Sequence, residues 1–311
     1  MTYDFVTIFN NLYLPQAISL YNSLNKFKFR FRLWAICLDD DSTYTIENLG
    51  ISNFKTINFK NFEDKKLASI KKKRTVAEYC WTLTPMSPKI IFGLNKNIKF
   101  VTYLDADMYF FNNPKFLIDE FVKSKKKILF TKHDFNDDQK YKEKKYGKFC
   151  VQFMTFKKFG SEKIRKIWEK KCIKWCYAEP EKGKMGDQKY LDNIYNKYKR
   201  EILVADNDFF RSTWNYKKIN FNKILAWHFH GLKIVNKKLL LMHPLEFLPE
   251  NIKKYIYFPY IRSINSSIKK IRYNKTQFVF QRGKLINLFN KIKFRMLELK
   301  LIKMKRYINL N

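Results

Sequence analysis

Phe100-Val101-Thr102-Tyr103-Leu104-Asp105-Ala106-Asp107 is the segment that decides the predicted fold. Its first five residues form an uncharged, largely apolar run that is typical of a buried strand, and two aspartates follow at once. Carboxylates beside a buried strand are costly unless they pair or bind a cation. Ligands of α/β sheets bind at the carboxyl ends of strands, so Asp105 and Asp107 are candidate ligands of a divalent metal. The alternative is a solvated turn, because an Asp-x-Asp pair also occurs by chance.

Strands and helices alternate around this segment. Apolar runs predict further strands at 5–9, 31–38, 54–59, 128–131 and 151–156. Helical spacing and capping residues predict helices from Pro15, from about Thr75, from Asn113-Pro114 with Asn113 as N-cap, over 161–176 and over 187–195, and Ser42 is a candidate cap of a further short helix. This alternation predicts an α/β domain with a mostly parallel sheet flanked by helices.

Charge is the most unusual property of the composition. The 311 residues include 63 basic and 28 acidic side chains, a formal net charge of +35. Such a charge favours anionic partners: nucleic acid, acidic lipid or phosphorylated small molecules. A compositional bias toward lysine is an equally good explanation of the overall value. The hydrophobic fraction of 46% excludes a disordered chain, and the five cysteines lack zinc-pair spacing, so reduced thiols are expected.

The last part of the chain changes in composition. We expect a catalytic domain over 1–258 and a basic extension over 259–311. Apolar residues recur at helical spacing within a segment rich in lysine and arginine, at Leu285, Leu288, Phe289, Ile292, Met296 and Leu299. This pattern predicts a basic amphipathic helix that either packs on the domain or binds an anionic membrane surface. With no secretory signal or long apolar run recognised, we expect a cytoplasmic protein, peripheral on the inner face of the plasma membrane.

Two further motifs carry candidate site residues. On a strand, His228 and His230 would face the same side, and a neutral imidazole can complete a site of oxygen ligands for Mn²⁺. Gly231 allows close approach of a ligand to the backbone, and Lys233 can neutralise a phosphate. Asp187-Gln188 lies at the start of a predicted short helix, where Asp187 is either an N-cap or a partner of sugar hydroxyls. The alternative for the histidines is a purely structural pair.

Taken together, these motifs resemble the glycosyltransferases with the GT-A fold, a Rossmann-like fold for nucleotide-diphospho-sugars. The similarity is to the retaining family that includes glycogenin and lipooligosaccharide galactosyltransferases, and it covers roughly residues 3 to 235. The segment 103–107 is similar to that family's strand and metal motif. The segment 228–233 is similar to its late His-x-x-Gly-x-x-Lys element, with the lysine one residue closer to the glycine. The run 175–191 resembles bacterial transferases tied to surface polysaccharides.

The resemblance implies a set of roles. Asp105, Asp107 and His228 would bind Mn²⁺ or Mg²⁺, and Asp187 and Gln188 would be the catalytic pair beside the donor sugar. The donor nucleotide, expected to be UDP, would contact Thr7, Asn10, Asn11, Arg74, Asp105, Ala106, Gly231 and Lys233. The reaction implied is transfer of a sugar from a UDP-sugar to a glycan or lipid-linked acceptor in bacterial surface polysaccharide synthesis, with retention of configuration. Because an amide is a poor nucleophile, same-face attack is at least as plausible as a covalent intermediate on Gln188.

Two rival interpretations stay open. One is a nucleic-acid-binding protein, or a metal-dependent phosphotransferase or nuclease with a basic surface. No familiar nucleic-acid-binding motif supports it, and strand-end acids repel a phosphate backbone unless a metal is bound. The other is an inactive transferase-like partner in a glycan assembly complex, against which the retained acids, histidine and Asp187-Gln188 argue.

Overall fold

The computed structural model describes residues 1–236, 239–243, 248–275 and 307–309. They fall into two compact units, Met1–His228 and Phe229–Asn311. The boundary predicted between residues 258 and 259 from the change in composition stays a prediction. The basic helix predicted around 285–299 lies outside the described residues.

The first unit contains ten strands. In chain order they are β1 (Tyr3–Phe9), β2 (Phe31–Cys37), β3 (Phe54–Asn58), β4 (Phe100–Leu104), β5 (Met108–Phe110), β6 (Ile128–Lys132), β7 (Phe149–Lys157), β8 (Ile202–Val204), β9 (Phe210–Arg211) and β10 (Ala226–His228). Seven of them form the central sheet in the order β3-β2-β1-β4-β7-β6-β8.

The central sheet is mostly parallel, as predicted. Strand β1 pairs in parallel with β2 and β4, β2 with β3, and β6 with β8. Strand β7 runs antiparallel to both β4 and β6, between which it lies. The carboxyl ends of β1, β2, β4 and β6 therefore share one edge of the sheet, and Asp105 follows β4 at that edge. The α/β prediction is confirmed.

Nine α-helices belong to the described part of the first unit. They are α1 (Leu14–Asn25), α2 (Asp40–Asn48), α3 (Lys65–Lys73), α4 (Val76–Leu83), α5 (Ser87–Leu94), α6 (Lys115–Lys123), α7 (Lys142–Tyr146), α8 (Glu162–Lys174) and α9 (Tyr190–Tyr198). Both faces of the sheet are covered, because every residue of β1 and β4 is buried. Such two-sided burial explains why these strands read as continuous apolar runs.

Local capping explains several helix boundaries and corrects some predictions. The side chain of Asp39, and not that of Ser42, caps α2 by accepting from the backbone N–H of Ser42. Thr75 caps α4 in a reciprocal capping box with Glu78. Helix α6 begins one residue after Pro114, and Asn113 accepts a hydrogen bond from the N–H of Lys115.

A small sheet in the order β5-β10-β9 was not predicted from the sequence. Strand β5 begins directly after Asp107, and β10 ends at His228. The two strands are antiparallel, and their register places His228 opposite Met108. This pairing brings the histidine, more than a hundred residues away in the chain, beside the two aspartates.

The second unit has its own sheet and helical segment. Strands β11 (Lys233–Asn236), β12 (Leu239–Leu241) and β13 (Tyr307–Asn309) pair in that order. The helical segment consists of α10 (Glu250–Ile252), a π-helical turn over Lys253–Tyr257, and α11 (Phe258–Lys270). The ring of Phe229 stacks on that of Tyr260 with centroids 3.7 Å apart. Among the described residues, no helix is both long and apolar enough to span a bilayer.

Candidate active site

Asp105, Asp107 and His228 converge at the carboxyl end of β4. The Nε2 atom of His228 lies 3.1 Å from Oδ1 of Asp107 and 3.7 Å from Oδ2 of Asp105. The His228 side chain is 8% exposed, while Asp105 and Asp107 retain 26% and 15%. The three predicted metal ligands are therefore neighbours in space, and each carboxylate still reaches solvent.

Asp105 is fixed by backbone and side-chain hydrogen bonds. Its N–H donates to the carbonyl oxygen of Gln152 on β7 at 3.1 Å, and its own carbonyl accepts from the N–H of Met108 at 3.2 Å. The hydroxyl of Tyr103 donates to Oδ1 of Asp105 at 2.9 Å. The turn between β4 and β5 is thus held at both ends.

The charges of this cluster shift the pKa values of its members. Burial alone would lower the pKa of His228, but the charge and hydrogen bond of Asp107, with contributions from Cys150 and Asp105, outweigh burial and raise that pKa well above its usual value. Burial raises the pKa of Asp105; the positive charge of His228 opposes the rise and the negative charge of Asp107 adds to it. The carboxylates of Asp107 and Asp105 therefore favour the protonated form of the His228 ring.

Asp187 lies close to this cluster, on a turn that precedes α9. The sequence predicted a helix from Asp187, but α9 begins at Tyr190, so Asp187 and Gln188 are turn residues. Burial raises the pKa of Asp187 well above its usual value, and the negative charge of Asp105 raises it further. The indole Nε1 of Trp168 donates to the carbonyl oxygen of Asp187 at 2.8 Å and fixes the turn.

Gln188 faces a different neighbour. Its amide nitrogen donates to the carbonyl oxygen of Tyr146 at 3.0 Å and lies 3.5 Å from the sulfur of Met185. In this arrangement Gln188 links the Asp187 turn to the segment around α7. Its predicted catalytic role stays a prediction.

The donor set of the cluster fits a divalent cation. Two carboxylates and one imidazole are the oxygen and nitrogen ligands that Mn²⁺ accepts, and Mg²⁺ binds through one or two carboxylates. Among the described residues, no group of three or more histidine, cysteine, aspartate or glutamate side chains is arranged as a ready-made metal site.

The predicted nucleotide contacts of the first loop lie at the same sheet edge. Thr7 is fully buried in β1, and its hydroxyl oxygen has no hydrogen-bond partner among the described residues. Asn10 and Asn11 follow β1, and the N–H of Asn11 donates to Oδ2 of Asp39, after β2, at 2.7 Å. Ala106 is 6% exposed between the two aspartates. The contacts of these residues with a nucleotide stay predictions.

The side chain of Arg74 binds backbone carbonyl oxygens near the end of α8. Its guanidinium donates to the carbonyl oxygens of Cys172 and Ile173 at 2.9 and 3.0 Å, near the end of α8. It also donates to the hydroxyl of Thr82 and lies over the ring of Tyr177, 5.2 Å from the centroid. A cation at the C-terminus of a helix is favourable because unpaired carbonyls point toward it. Arg74 thus joins α4 to α8, and its predicted contact with a nucleotide stays a prediction.

Gly231 and Lys233 belong to the second unit. Gly231 has φ +88°, and a Cβ atom there would lie 2.5 Å from Cδ2 of His243, so glycine is required by both backbone and space. Lys233 is the first residue of β11. His230 follows the end of β10, so the prediction that His228 and His230 share one strand face is wrong.

Several residues around the cluster were missed by the sequence analysis. The ring of Trp214 contacts that of His228 edge-on, with centroids 5.4 Å apart. The hydroxyl of Ser212 donates to the carbonyl oxygen of His228 at 2.7 Å. Cys150 contributes to the raised pKa of His228. Cys150 and Gln152 lie on β7, which pairs antiparallel with β4. No local sequence pattern predicts that these two strands are neighbours.

Comparison with known proteins gives distant relatives. No protein-family model matches the chain. Two uncharacterized proteins of Bacillus subtilis strain 168 are similar in sequence. YfnF is 24% identical over 256 residues, which cover 76% of this chain and 84% of YfnF. YfnD is 23% identical over 289 residues, which cover 87% of this chain and 91% of YfnD.

Solved structures resemble the chain more closely in fold than in sequence. The galactosyltransferase LgtC, in complex with donor and acceptor sugar analogs, superposes with a TM-score of 0.52 at 12% identity, over 85% of this chain and 95% of LgtC. The fold is that of the GT-A glycosyltransferases. GlyE of Streptococcus pneumoniae TIGR4 has a TM-score of 0.51 at 13% identity, and the match covers 88% of this chain and 65% of GlyE.

The GT-A fold predicted from the motifs is thereby confirmed. The bifunctional glycosyltransferase WbbM also superposes, with a TM-score of 0.54 at 13% identity, over 87% of this chain. This chain spans 51% of the WbbM chain. At such identities the similarity shows the architecture alone.

Proposed function

We propose that this GT-A chain is a glycosyltransferase that uses a nucleotide-sugar, with UDP as the nucleotide. The observation that supports it most is the convergence of Asp105, Asp107 and His228 at the carboxyl end of β4. In open α/β sheets this edge is where ligands bind. Asp187 adds a third carboxylate whose pKa is raised by burial and by the charge of Asp105.

Asp105, Asp107 and His228 are the residues that would hold Mn²⁺ or Mg²⁺. When bound, the metal supplies positive charge that stabilises a departing diphosphate. Because a metal binds the neutral imidazole of His228, metal uptake should weaken as the pH falls. The two partly exposed carboxylates provide the side of the cluster from which a diphosphate could approach.

The proposed reaction is group transfer between two oxygens. The bond between the anomeric carbon and the diphosphate oxygen breaks, and a bond from that carbon to the acceptor hydroxyl oxygen forms. The acceptor proton leaves with the nucleoside diphosphate, so atoms and charge balance without another reactant. Asp187, held by Trp168 and by backbone hydrogen bonds, orients the donor sugar. The Gln188 side chain is fixed by Tyr146 and Met185, which favours positioning and same-face attack over a nucleophilic amide.

The donor nucleotide is proposed to lie along the first loop. Thr7, Asn10 and Asn11 line the carboxyl end of β1, which pairs directly with β4. Ala106 places its backbone between the metal ligands. Contacts of Gly231 and Lys233 with the diphosphate are proposed from the resemblance alone. Because Arg74 donates to two carbonyls near the end of α8, we propose that it stabilises the helices beside the site and does not contact the nucleotide.

The acceptor is proposed to be a glycan or lipid-linked sugar of a bacterial surface polysaccharide, with retention of configuration. Two solved relatives in fold support a glycan acceptor: LgtC was captured with donor and acceptor sugar analogs, and WbbM is a bifunctional glycosyltransferase. The described residues contain no feature that specifically favours a nuclease or a nucleic-acid-binding protein over a transferase. Binding of the basic extension to an anionic membrane remains part of the same proposal.

A donor-hydrolysis screen tests the proposal. UDP release would be followed with a panel of UDP-sugars, with and without Mn²⁺, for the wild type and for Asp187→Asn. We expect metal-dependent turnover of one donor, reduced by more than about a hundredfold in Asp187→Asn. Asp119→Asn is the matched control, since Asp119 lies on α6 and pairs with Lys115. The absence of turnover and of binding for every UDP-, GDP-, CDP- and TDP-sugar would contradict the proposal.

A further inference from the structure

A short lysine-rich segment lies beside the Asp187 turn and has no part in the reaction described above. We call residues 140–148 the basic segment; it reads Lys140-Tyr141-Lys142-Glu143-Lys144-Lys145-Tyr146-Gly147-Lys148 and includes α7. Five of its nine residues are lysines, and one is acidic. Four of those lysines and Tyr141 are exposed, Tyr141 with 74% of its surface.

The topology places this segment at the edge of the sheet that carries the candidate active site. The chain leaves β6 at Lys132 and returns into β7 at Phe149, and the basic segment lies in between. Strand β6 ends at the same edge as β4, because β7 runs antiparallel to both. The segment therefore emerges two strands away from Asp105 on the ligand-binding edge.

Hydrogen bonds fasten the basic segment to the Asp187 turn and to α9. The carbonyl oxygen of Tyr146 accepts from the side chain of Gln188 at 3.0 Å, and that of Glu143 accepts from Nζ of Lys189 at 3.0 Å. The N–H of Lys148 donates to Asp192 at 2.8 Å. A group bound by this segment would therefore lie near Gln188, one residue from the Asp187 that is proposed to orient the donor sugar.

The positive charge of the segment is not neutralised by the described residues around it. Nearby acids have other partners: Asp137 pairs with Lys218, Asp138 with Lys217, and Asp192 with Lys189. Among the described residues, no ion pair involves Lys140, Lys144, Lys145 or Lys148. Exposed like charges held within one short segment repel each other, so an anionic ligand there is favourable.

We propose that the basic segment binds a phosphate group of the acceptor, which makes the acceptor an anionic phosphate-bearing glycan or glycolipid. This inference rests on the proposed transferase function and names the chemical class of its acceptor. Lysine is a mobile point charge that suits phosphate, and the amphipathic ring of the exposed Tyr141 suits the adjoining sugar or lipid. The phosphate is either the diphosphate of a lipid-linked sugar or a phosphodiester of a polyol-phosphate polymer.

Binding of acceptor probes to the donor-loaded protein tests this proposal. The full chain would be saturated with UDP and Mn²⁺, so that the donor site is filled, and titrated in a calorimeter with three probes. They are farnesyl diphosphate-linked N-acetylglucosamine, a glycerol phosphate oligomer, and the neutral octyl N-acetylglucosaminide. The variant is Lys140→Gln/Lys144→Gln/Lys145→Gln. The control, Lys163→Gln/Lys166→Gln/Lys170→Gln, removes the same charge from exposed positions of α8.

We expect one phosphate probe to bind the wild type and the control equally, and to bind the variant about tenfold or more weakly. The phosphate probe that binds shows whether the acceptor carries the diphosphate of a lipid-linked sugar or the phosphodiester of a polyol-phosphate polymer. That affinity falls with added salt, while the affinity for UDP is unchanged in all three proteins. Equal losses in variant and control, or normal UDP binding with no binding of either phosphate probe to the wild type, would overturn the proposal. Failure of the wild type to bind UDP at all would instead count against the transferase function, and the acceptor proposal would fall with it.

Discussion

The hydroxyl of Tyr103 donates a hydrogen bond to Oδ1 of Asp105 over 2.9 Å, from within the strand that ends at the candidate metal ligands. The ring is 4% exposed, and burial and the charge of Asp105 raise the pKa of the hydroxyl well above its usual value. It therefore remains a donor throughout the physiological pH range. This contact orients one carboxylate oxygen and leaves the other directed toward His228, at 3.7 Å.

Replacing Tyr103 by phenylalanine should weaken the binding of UDP in the presence of Mn²⁺ by about tenfold, because a hydrogen bond to a charged group is lost. Calorimetry measures the dissociation constant directly. Tyr79→Phe is the matched control, since its hydroxyl donates at 2.6 Å to Glu63, a residue outside the candidate site. Equal UDP affinities for Tyr103→Phe and the wild type would show that Asp105 needs no such support.

Substitution of Arg74 by glutamine should lower the free energy of unfolding by about 1.5–3 kcal/mol, because carbonyls near the end of α8 lose their charged donor. Urea denaturation monitored by tryptophan fluorescence measures this change. Affinity for UDP in the folded variant should change by less than about threefold. A large loss of UDP affinity with unchanged stability would instead support a direct contact between Arg74 and the nucleotide, as the resemblance predicts.

Trp168→Phe should slow turnover several-fold while leaving UDP affinity intact. The indole N–H holds the carbonyl of Asp187, and phenylalanine cannot donate that bond. Steady-state kinetics separates kcat from KM. Trp175→Phe is the control, because its N–H donates to the exposed Glu181 at 3.0 Å. An unchanged kcat in Trp168→Phe would mean that the turn is held by other contacts.

The cysteines should react slowly with thiol reagents in the native protein. All five are free; four are buried and Cys80 is half-buried. Burial raises the pKa of Cys37 and of Cys80 to about 12, so very little of either thiol is ionised at pH 8. Modification at pH 8, followed by mass spectrometry, should be complete within minutes only in guanidinium. Rapid native labelling of Cys37 would contradict its burial at the end of β2.

The central features of the site could be predicted from local sequence because they depend on short spacings. An apolar run followed directly by two acids indicated that Asp105 and Asp107 come after a buried strand. The alternation of strands and helices predicted a mostly parallel sheet, so these acids were expected at the carboxyl ends of its strands. The proximity of His228 depended on the resemblance, since its cause is the pairing of β10 with β5. Strands of three residues are too short for a sequence signal that would identify their pairing partner.

Long-range contacts explain what the sequence could not show. A strand buried on both faces has the same pattern in either direction, so the antiparallel course of β7 was not predictable. The position of Arg74 depends on carbonyls about a hundred residues further along the chain. The start of α9 was placed three residues early, because Asp187 has the residue type of an N-cap but is held in the preceding turn.

Binding of UDP with and without Mn²⁺, measured by calorimetry for the wild type and for Asp105→Asn/Asp107→Asn, tests the central claim most directly. The control Glu120→Gln/Glu250→Gln removes two charges from exposed positions. We predict that wild type and control bind UDP only with Mn²⁺, and that the double asparagine variant, although folded, loses this binding. Binding of UDP by that variant at wild-type affinity, or no binding by folded wild type under either condition, would contradict a metal-dependent nucleotide-sugar site.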